Sequence, residues 1–135
     1  MASIIEACNA SSNSLWRRAF ATLARIAAEE GQPFPVVTSA GALINELKLA
    51  GHGKVALLMP YADGLARTVV DYIEAEGIAV RDYRNFSVTD NREVGRIPGE
   101  RLLAAIDDLD ITGCDALVLS CCVQMPSIAT LDAAR

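Results

Sequence analysis

The chain has 135 residues, of which 52% are hydrophobic, and Asp plus Glu outnumber Lys plus Arg by 17 to 12, for a net charge of −5. This length and composition suit one domain with a buried core, and without a basic cluster the chain is not expected to bind nucleic acid. No apolar run approaches the roughly 20 residues of a membrane helix and the N-terminus lacks signal-peptide features, so we predict a cytoplasmic protein with no membrane partner.

Two helices are predicted in the first third of the chain. Residues 15–30 follow a Ser- and Asn-rich stretch and repeat apolar residues at helical spacing, which is typical of an amphipathic helix. A short β-branched strand is predicted over 36–38, and the next helix opens at Thr38 or Ser39 and stops at Gly51. Thr38 and Ser39 are therefore helix caps in the simplest interpretation, and anion binding by the same backbone groups is the alternative.

The rest of the chain alternates short strands with helices. Strands are predicted over 54–60, 78–86 and 115–122, and helices over 64–77 and 98–110. The first of these strands, KVALLMP, is apolar almost throughout, which indicates burial on both faces of a parallel sheet. Because the connections are short, the pattern predicts an α/β fold in which helices cover both faces of a parallel sheet.

Ligand-binding side chains are expected beyond the carboxyl ends of parallel strands, where ligands of α/β proteins bind. The residues at these positions are Thr38, Ser39, Tyr61, Thr89, Asp90, Asn91, Ser120, Cys121 and Cys122. Each also has a structural interpretation: a cap, an Asx-turn in the segment 89–91, or a packed thiol. Taken together, they predict a site at one edge of the sheet.

Two adjacent cysteines end the last predicted strand. Alternation along a strand directs Cys121 and Cys122 to opposite faces, so at most one of them faces a given cleft. A thiol there is more often packing than chemistry, whereas a helix beginning after Pro126 would favour a reactive thiolate. The cysteines of the chain have no framework spacing, which predicts free thiols rather than disulfides.

The sequence lacks the motifs of several common sites. His52 is the single histidine and has no spaced Cys or His partners, so neither a zinc site nor a Ser-His-Asp triad is predicted. No GxGxxG and no Walker lysine loop occurs, so dinucleotides and nucleoside triphosphates are not expected as ligands.

Five stretches, in order, resemble the maleate cis-trans isomerases. They are PVVTSAGAL, KVALLMPY, VVDYIEAEGI, TDNREVGR and GCDALVLSCCVQMPS, and they cover about residues 35–128. Those isomerases belong to the aspartate/glutamate racemase superfamily, with arylmalonate decarboxylases and hydantoin racemases as relatives. The combination of TSAGAL, TDNREVGR and the LSxCVQMP pattern is specific to the maleate isomerase branch.

The resemblance implies a cofactor-independent enzyme of two similar α/β halves, each contributing one catalytic cysteine. The thiolate of the first half adds to maleate, the adduct rotates about what has become a single bond, and elimination gives fumarate. Cys122 falls on the acid/base cysteine of the family, and Cys121 on a place more often held by a small residue such as alanine. Cys8 is the candidate for the nucleophile.

The resemblance also implies how a small dicarboxylate such as maleate is held. Tyr61 falls on the tyrosine that contacts a substrate carboxylate, and Asn91 on the asparagine of the DN pair. Backbone N–H groups at Thr38 and Ser39, and at Val123 just beyond the second cysteine, are expected to supply further donors for the dianion.

The chain matches only part of the family pattern. Residues 1–34 are predicted to be an N-terminal helical segment that matches the family poorly, followed by a single truncated α/β domain over 35–135. The first α/β half and the final strand and helices of the family are missing. Unpaired strand edges left by those segments predict a homo-oligomer.

Three classes of function therefore remain open. The first is an isomerase of maleate type, or a related racemase or arylmalonate-type decarboxylase, which is active if the missing half is supplied. The second is a truncated, non-catalytic domain that binds a dicarboxylate. The third is a thiol-redox module at Cys121 and Cys122, which is the least favoured because a disulfide between adjacent cysteines closes a strained ring.

Overall fold

The computed structural model describes residues 14–31 and 38–120, with the side chains of the first helix from residue 22 onward. The helices are α1 (Ser14–Glu29), α2 (Ser39–Leu49), α3 (Asp63–Ala75), α4 (Asn91–Val94) and α5 (Gly99–Asp107), and the strands are β1 (Lys54–Met59), β2 (Ala79–Asn85) and β3 (Ala116–Leu119). The chain divides into two compact units, residues 1–51 and 52–135. The domain boundary predicted between 34 and 35 lies outside the described residues.

The first unit contains the two predicted helices α1 and α2. Thr38 caps α2 in an extended conformation, and its Oγ1 accepts a hydrogen bond from the Gly41 N–H at 3.0 Å. Ser39 is the first residue of the helix. Gly51 follows its end with φ +75°, a left-handed conformation that favours glycine. The predicted cap and stop signal of this helix are therefore confirmed.

The second unit is built on a three-stranded parallel sheet in the order β2-β1-β3. β1 is central, and Val55 pairs with Val80 on one side and with Ala116 on the other. From Val55 to Met59 no side chain is more than 1% exposed. This confirms the predicted parallel sheet and the burial of its most apolar strand on both faces.

Helices cover both faces of this sheet. From β1 the chain passes through α3 to β2 on one side of β1, and then through α5 to β3 on the other side. Because both connections are expected to be right-handed but run in opposite directions along the sheet, α3 and α5 lie on opposite faces. Ala66 and Ile73 of α3 are buried, as is Leu102 of α5, which packs in one cluster with Leu58. The predicted α/β architecture is thus confirmed.

The cluster on the α5 face positions the segment that follows β2. Its buried members are Leu58, Val94, Ile97, Leu102 and Leu109. Because Val94 belongs to the short helix α4, burial of its side chain holds that helix against the sheet and so determines where Asn91, the first residue of α4, lies. None of the described helices is long and apolar enough to cross a membrane.

The turn before β3 contains a strongly hydrogen-bonded carboxylate. The Thr112 N–H donates to Asp110 Oδ1 at 3.0 Å, and the Arg81 guanidinium pairs with Oδ2. These bonds, chiefly those from Thr112, lower the pKa of Asp110 from 3.8 to about 2. We expect NMR titration of this carboxyl to show a midpoint near that value.

The same shift predicts how stability depends on pH. Since the pKa of Asp110 is lower in the folded protein, its contribution is complete above the unfolded value and is lost as the pH falls from about 4 to about 2. Replacing Asp110 by Asn should make unfolding midpoints less sensitive to pH within that window. An unchanged acid dependence in the variant would contradict this assignment.

Candidate functional site

A cavity of about 300 Å³ lies beyond the carboxyl end of β1. It is lined by Pro60, Tyr61, Ala62, Leu65, Val88, Thr89, Asn91 and Val94. The chain turns to β2 on one side of β1 and β3 lies on the other, so the cavity is near the point where the strand order reverses. Ligands of open α/β sheets bind at such switch points, and this is the edge at which the sequence predicts a site.

Tyr61 is held at the cavity by a contact across the sheet. Its hydroxyl lies 2.9 Å from Ser120 Oγ, and both side chains are half-buried. Ser120 follows β3 directly, and its N–H donates to the Leu58 carbonyl at 2.9 Å, which continues the pairing between β1 and β3. The first residue of the SCC sequence is therefore tied to a residue of the cavity wall.

The segment after β2 forms a second wall. The Phe86 N–H donates to the Met59 carbonyl at 2.9 Å, and the Val88 N–H donates to the Pro60 carbonyl at 3.0 Å. These bonds extend the β1–β2 pairing beyond the strands themselves. As a result, Val88 and the following Thr89 are brought beside Tyr61.

Side-chain hydrogen bonds from the start of α3 support this wall at the surface. Asp63 accepts hydrogen bonds from the Ser87 hydroxyl and, at 3.0 Å, from Asn85 Nδ2. The Ser87 hydroxyl bond, followed by that of Asn85, lowers the pKa of Asp63, so the carboxylate stays ionised at neutral pH. Ser87 has φ +54°, a left-handed conformation that is unusual for serine. The hydrogen bond to Asp63 offsets the energetic cost of this conformation.

Asp90 and Asn91 begin the short helix α4. The Asp90 side chain accepts a hydrogen bond from the Arg92 N–H at 2.9 Å, which is the predicted Asx-turn. The Arg92 guanidinium also pairs with Asp90 at 2.8 Å and lowers the pKa of that carboxyl. The exposed Asn91 residue lines the cavity. Because Arg92 pairs with Asp90, the negative charge next to Asn91 is compensated.

The lining can bind a small anion through neutral groups. Tyr61 and Thr89 carry hydroxyls and Asn91 carries an amide, and all three can donate hydrogen bonds. The other lining residues are apolar, and no carboxylate is among them. Donors in a mostly apolar cavity interact more strongly with an anion than the same donors in water.

The apolar part of the lining was not predicted. Leu65 repeats with Ile73 at helical spacing in the sequence, which indicates a buried face, yet its side chain is 50% exposed and lines the cavity. The buried residues of α3 are Ile73 and Ala66, and Ala66 is one position after Leu65. The sequence signal that could have placed Leu65 at the cavity is its position in the first turn of the helix after a strand end. Side chains of that turn reach the carboxyl edge of the sheet.

The other predicted site residues are not described together with this cavity. Cys8, Cys122 and Val123 lie outside the described residues. Thr38 and Ser39 belong to the unit of residues 1–51 and are described there alone. Within 14–31 and 38–120, no group of three or more His, Cys, Asp or Glu residues is arranged to hold a metal ion.

Comparison with known proteins identifies relatives over most of the chain. The sequence profile of the arylmalonate decarboxylase family matches residues 5–133. The maleate isomerase of Nocardia farcinica (strain IFM 10152) is 50% identical over 100 residues, which are 74% of this chain and 40% of that protein. The chain thus spans less than half the length of the curated relatives it matches.

Solved structures agree with these matches. A cysteine-to-serine mutant of the Nocardia farcinica maleate cis-trans isomerase with a covalently bound succinylcysteine intermediate has a TM-score of 0.80 and 45% identity, covering 87% of this chain and 48% of that one. A cysteine-to-alanine variant of the maleate isomerase from Pseudomonas putida S16, solved with maleate, has a TM-score of 0.79 and 36% identity, covering 87% and 47%.

Proposed function

We propose, because this chain belongs to the maleate isomerase and arylmalonate decarboxylase family, that it forms part of the active site of a maleate cis-trans isomerase. One observation carries the proposal: Tyr61 and Asn91, the two positions to which the resemblance assigns substrate contacts, lie on one cavity at the expected edge of the sheet. The chain also keeps the SCCVQMP sequence of the resemblance directly beyond β3.

The reaction requires a nucleophile because rotation about a carbon–carbon double bond is too slow otherwise. A thiolate attacks one vinylic carbon of maleate, the C–S bond forms, and the π electrons move to the neighbouring carbon, which takes a proton. Rotation about the new single bond then precedes removal of that proton and departure of the thiolate, which leaves fumarate. Two smaller barriers thus replace one large barrier.

We assign the proton transfers of this cycle to Cys122. Its thiol donates to the carbon next to the C–S bond, and its thiolate takes the proton back during elimination. The attacking thiolate belongs to a second cysteine, for which Cys8 is the candidate within this sequence. The covalent succinylcysteine seen in the Nocardia farcinica enzyme supports this scheme, since addition of a thiolate to maleate gives that group.

We further propose that the cavity binds one carboxylate of the dianion. The Tyr61 hydroxyl and the Asn91 amide donate to its oxygens, and the backbone N–H groups at Thr38, Ser39 and Val123 are kept as the further donors expected from the sequence. The presence of maleate in the Pseudomonas putida S16 structure supports a dicarboxylate as ligand. No cofactor is part of this proposal, and the cytoplasmic location predicted from the sequence suits the free thiols that the sequence also predicts.

The proposal is tested with the complete gene product that carries this sequence. We expect proton NMR to show maleate converted to fumarate without added cofactor, and maleate to protect Cys122 from a thiol-directed alkylating reagent, with the labelled residue identified by mass spectrometry. Protection without turnover would support a non-catalytic dicarboxylate-binding domain instead. Labelling that responds to redox potential but not to maleate would favour a thiol-redox module.

A related decarboxylase is the second candidate. The family profile that matches is that of the arylmalonate decarboxylases, and five of the cavity residues are apolar: Pro60, Ala62, Leu65, Val88 and Val94. An apolar wall would suit the aryl group of such a substrate. Release of carbon dioxide from phenylmalonate, with no fumarate formed from maleate, would favour this candidate.

A further inference from the structure

Tyr61 and Ser120 meet at the carboxyl ends of neighbouring strands. They are 59 positions apart in the sequence, and the only described hydrogen bond of the Tyr61 hydroxyl joins it to Ser120 Oγ at 2.9 Å. The sheet fixes the Ser120 backbone, because its N–H donates to the Leu58 carbonyl and the preceding residue, Leu119 of β3, pairs with Leu58 of β1. The serine hydroxyl is therefore presented to the phenol from a rigid element.

The direction of this hydrogen bond decides what Tyr61 can offer a ligand. Each hydroxyl has one proton, and either oxygen can be the donor. If Tyr61 donates to Ser120, its proton is used and its oxygen can only accept a hydrogen bond from a ligand in the cavity. If Ser120 donates to Tyr61, the phenol proton remains available to an anion in the cavity.

We infer that Ser120 is a positioning residue that donates to the Tyr61 hydroxyl and so directs the phenol proton to a substrate carboxylate in the cavity. A carboxylate accepts hydrogen bonds only, so its binding selects the order serine to tyrosine to carboxylate. Hydrogen bonds in such a chain polarise and strengthen one another. This role rests on the proposed function, because it requires a carboxylate ligand at Tyr61.

A positioning role differs from a structural one in which measured quantity its loss changes. If Ser120 acts through the phenol, removing its hydroxyl raises KM for maleate, and it changes nothing further once the phenol hydroxyl is gone. If the hydrogen bond only ties two strand ends together, its loss lowers the unfolding midpoint and leaves KM unchanged. KM and the unfolding midpoint, measured together in a double-mutant cycle, separate these cases.

The experiment measures kcat and KM for maleate, together with the unfolding midpoint, in the complete gene product and its Ser120→Ala, Tyr61→Phe and doubly substituted variants. We expect Ser120→Ala to raise KM by about three- to tenfold, which corresponds to the net contribution of one neutral hydrogen bond. The value of kcat should change by less than about twofold. Tyr61→Phe should raise KM by about tenfold or more, since its bond to a carboxylate is charge-assisted. The double variant should match Tyr61→Phe, and Ser120→Thr, which keeps the hydroxyl, should restore most of the affinity.

Thr68→Val provides a matched control. It removes another hydroxyl that makes a single hydrogen bond, to the Gly64 carbonyl at 3.0 Å, from an exposed site outside the cavity lining. Its KM should equal that of the unmodified protein. Additive effects of Ser120→Ala and Tyr61→Phe would overturn the positioning role and leave the proposed function intact. A protein that neither binds nor isomerises maleate before substitution would overturn both.

Discussion

Replacing Cys122 by serine is expected to lower kcat for maleate isomerisation by roughly 10²- to 10⁴-fold, the usual contribution of a general acid/base. The hydroxyl holds its proton much more tightly than a thiol, so it cannot take up and release a proton at each turnover. KM should change little, because the proposed carboxylate contacts of Tyr61 and Asn91 are left in place. Fumarate formation followed by NMR in the complete gene product measures both constants.

Cys121→Ala is the matched control for this substitution. The neighbouring thiol falls where the resemblance has a small residue such as alanine, and alternation along a strand predicts that the two thiols face apart. Its removal should leave kcat within about threefold of the unmodified value, since surface and packing changes of this size rarely alter the chemistry. Equal losses in the two variants, or a larger loss in Cys121→Ala, would refute the assignment of Cys122.

The second large effect concerns stability. Leu58→Ala is expected to lower the free energy of unfolding by about 2–5 kcal/mol, because it removes buried methyl groups and leaves a cavity. Leu58 is fully buried at the centre of the sheet and packs with Val94, Ile97, Leu102 and Leu109. Chemical unfolding followed by circular dichroism measures the loss, and an unchanged slope against denaturant would show that it arises from the folded state.

Leu49→Ala makes the same chemical change at an exposed position. Leu49 is 74% exposed at the end of α2, so its replacement should change the free energy of unfolding by no more than about 0.5 kcal/mol. The contrast between the two variants isolates the contribution of burial. If Leu58→Ala cost no more than Leu49→Ala, the packed cluster around β1 would have to be wrong.

Most of the described secondary structure was predictable because local chemistry determines it. The Thr38 cap, the glycine after α2 and the apolar run of β1 each leave a signal within a few residues. Helix α4 was not predicted, since a single turn of four residues is too short for a periodic pattern. Only its Asp90 cap is visible in the sequence, as an Asx-turn.

The site was predictable in its parts but not in its contacts. Tyr61 and Asn91 stand out because each follows a strand, and the resemblance assigns them to substrate. That Leu65 is half-exposed at the cavity could not be read from its spacing, which is that of a buried face. Burial depends on what lies opposite a helix, and periodicity describes only the helix itself.

The sequence by itself determined the alternation of strands and helices, the burial of the most apolar strand on both faces and the strand ends at which polar side chains gather. These follow from interactions between residues close together in the chain. The tertiary structure alone decided that β3 lies beside β1, and hence that Ser120 meets Tyr61 across 59 positions. Strand order is a choice among pairings that all satisfy the same local pattern, so only packing of the whole sheet selects one.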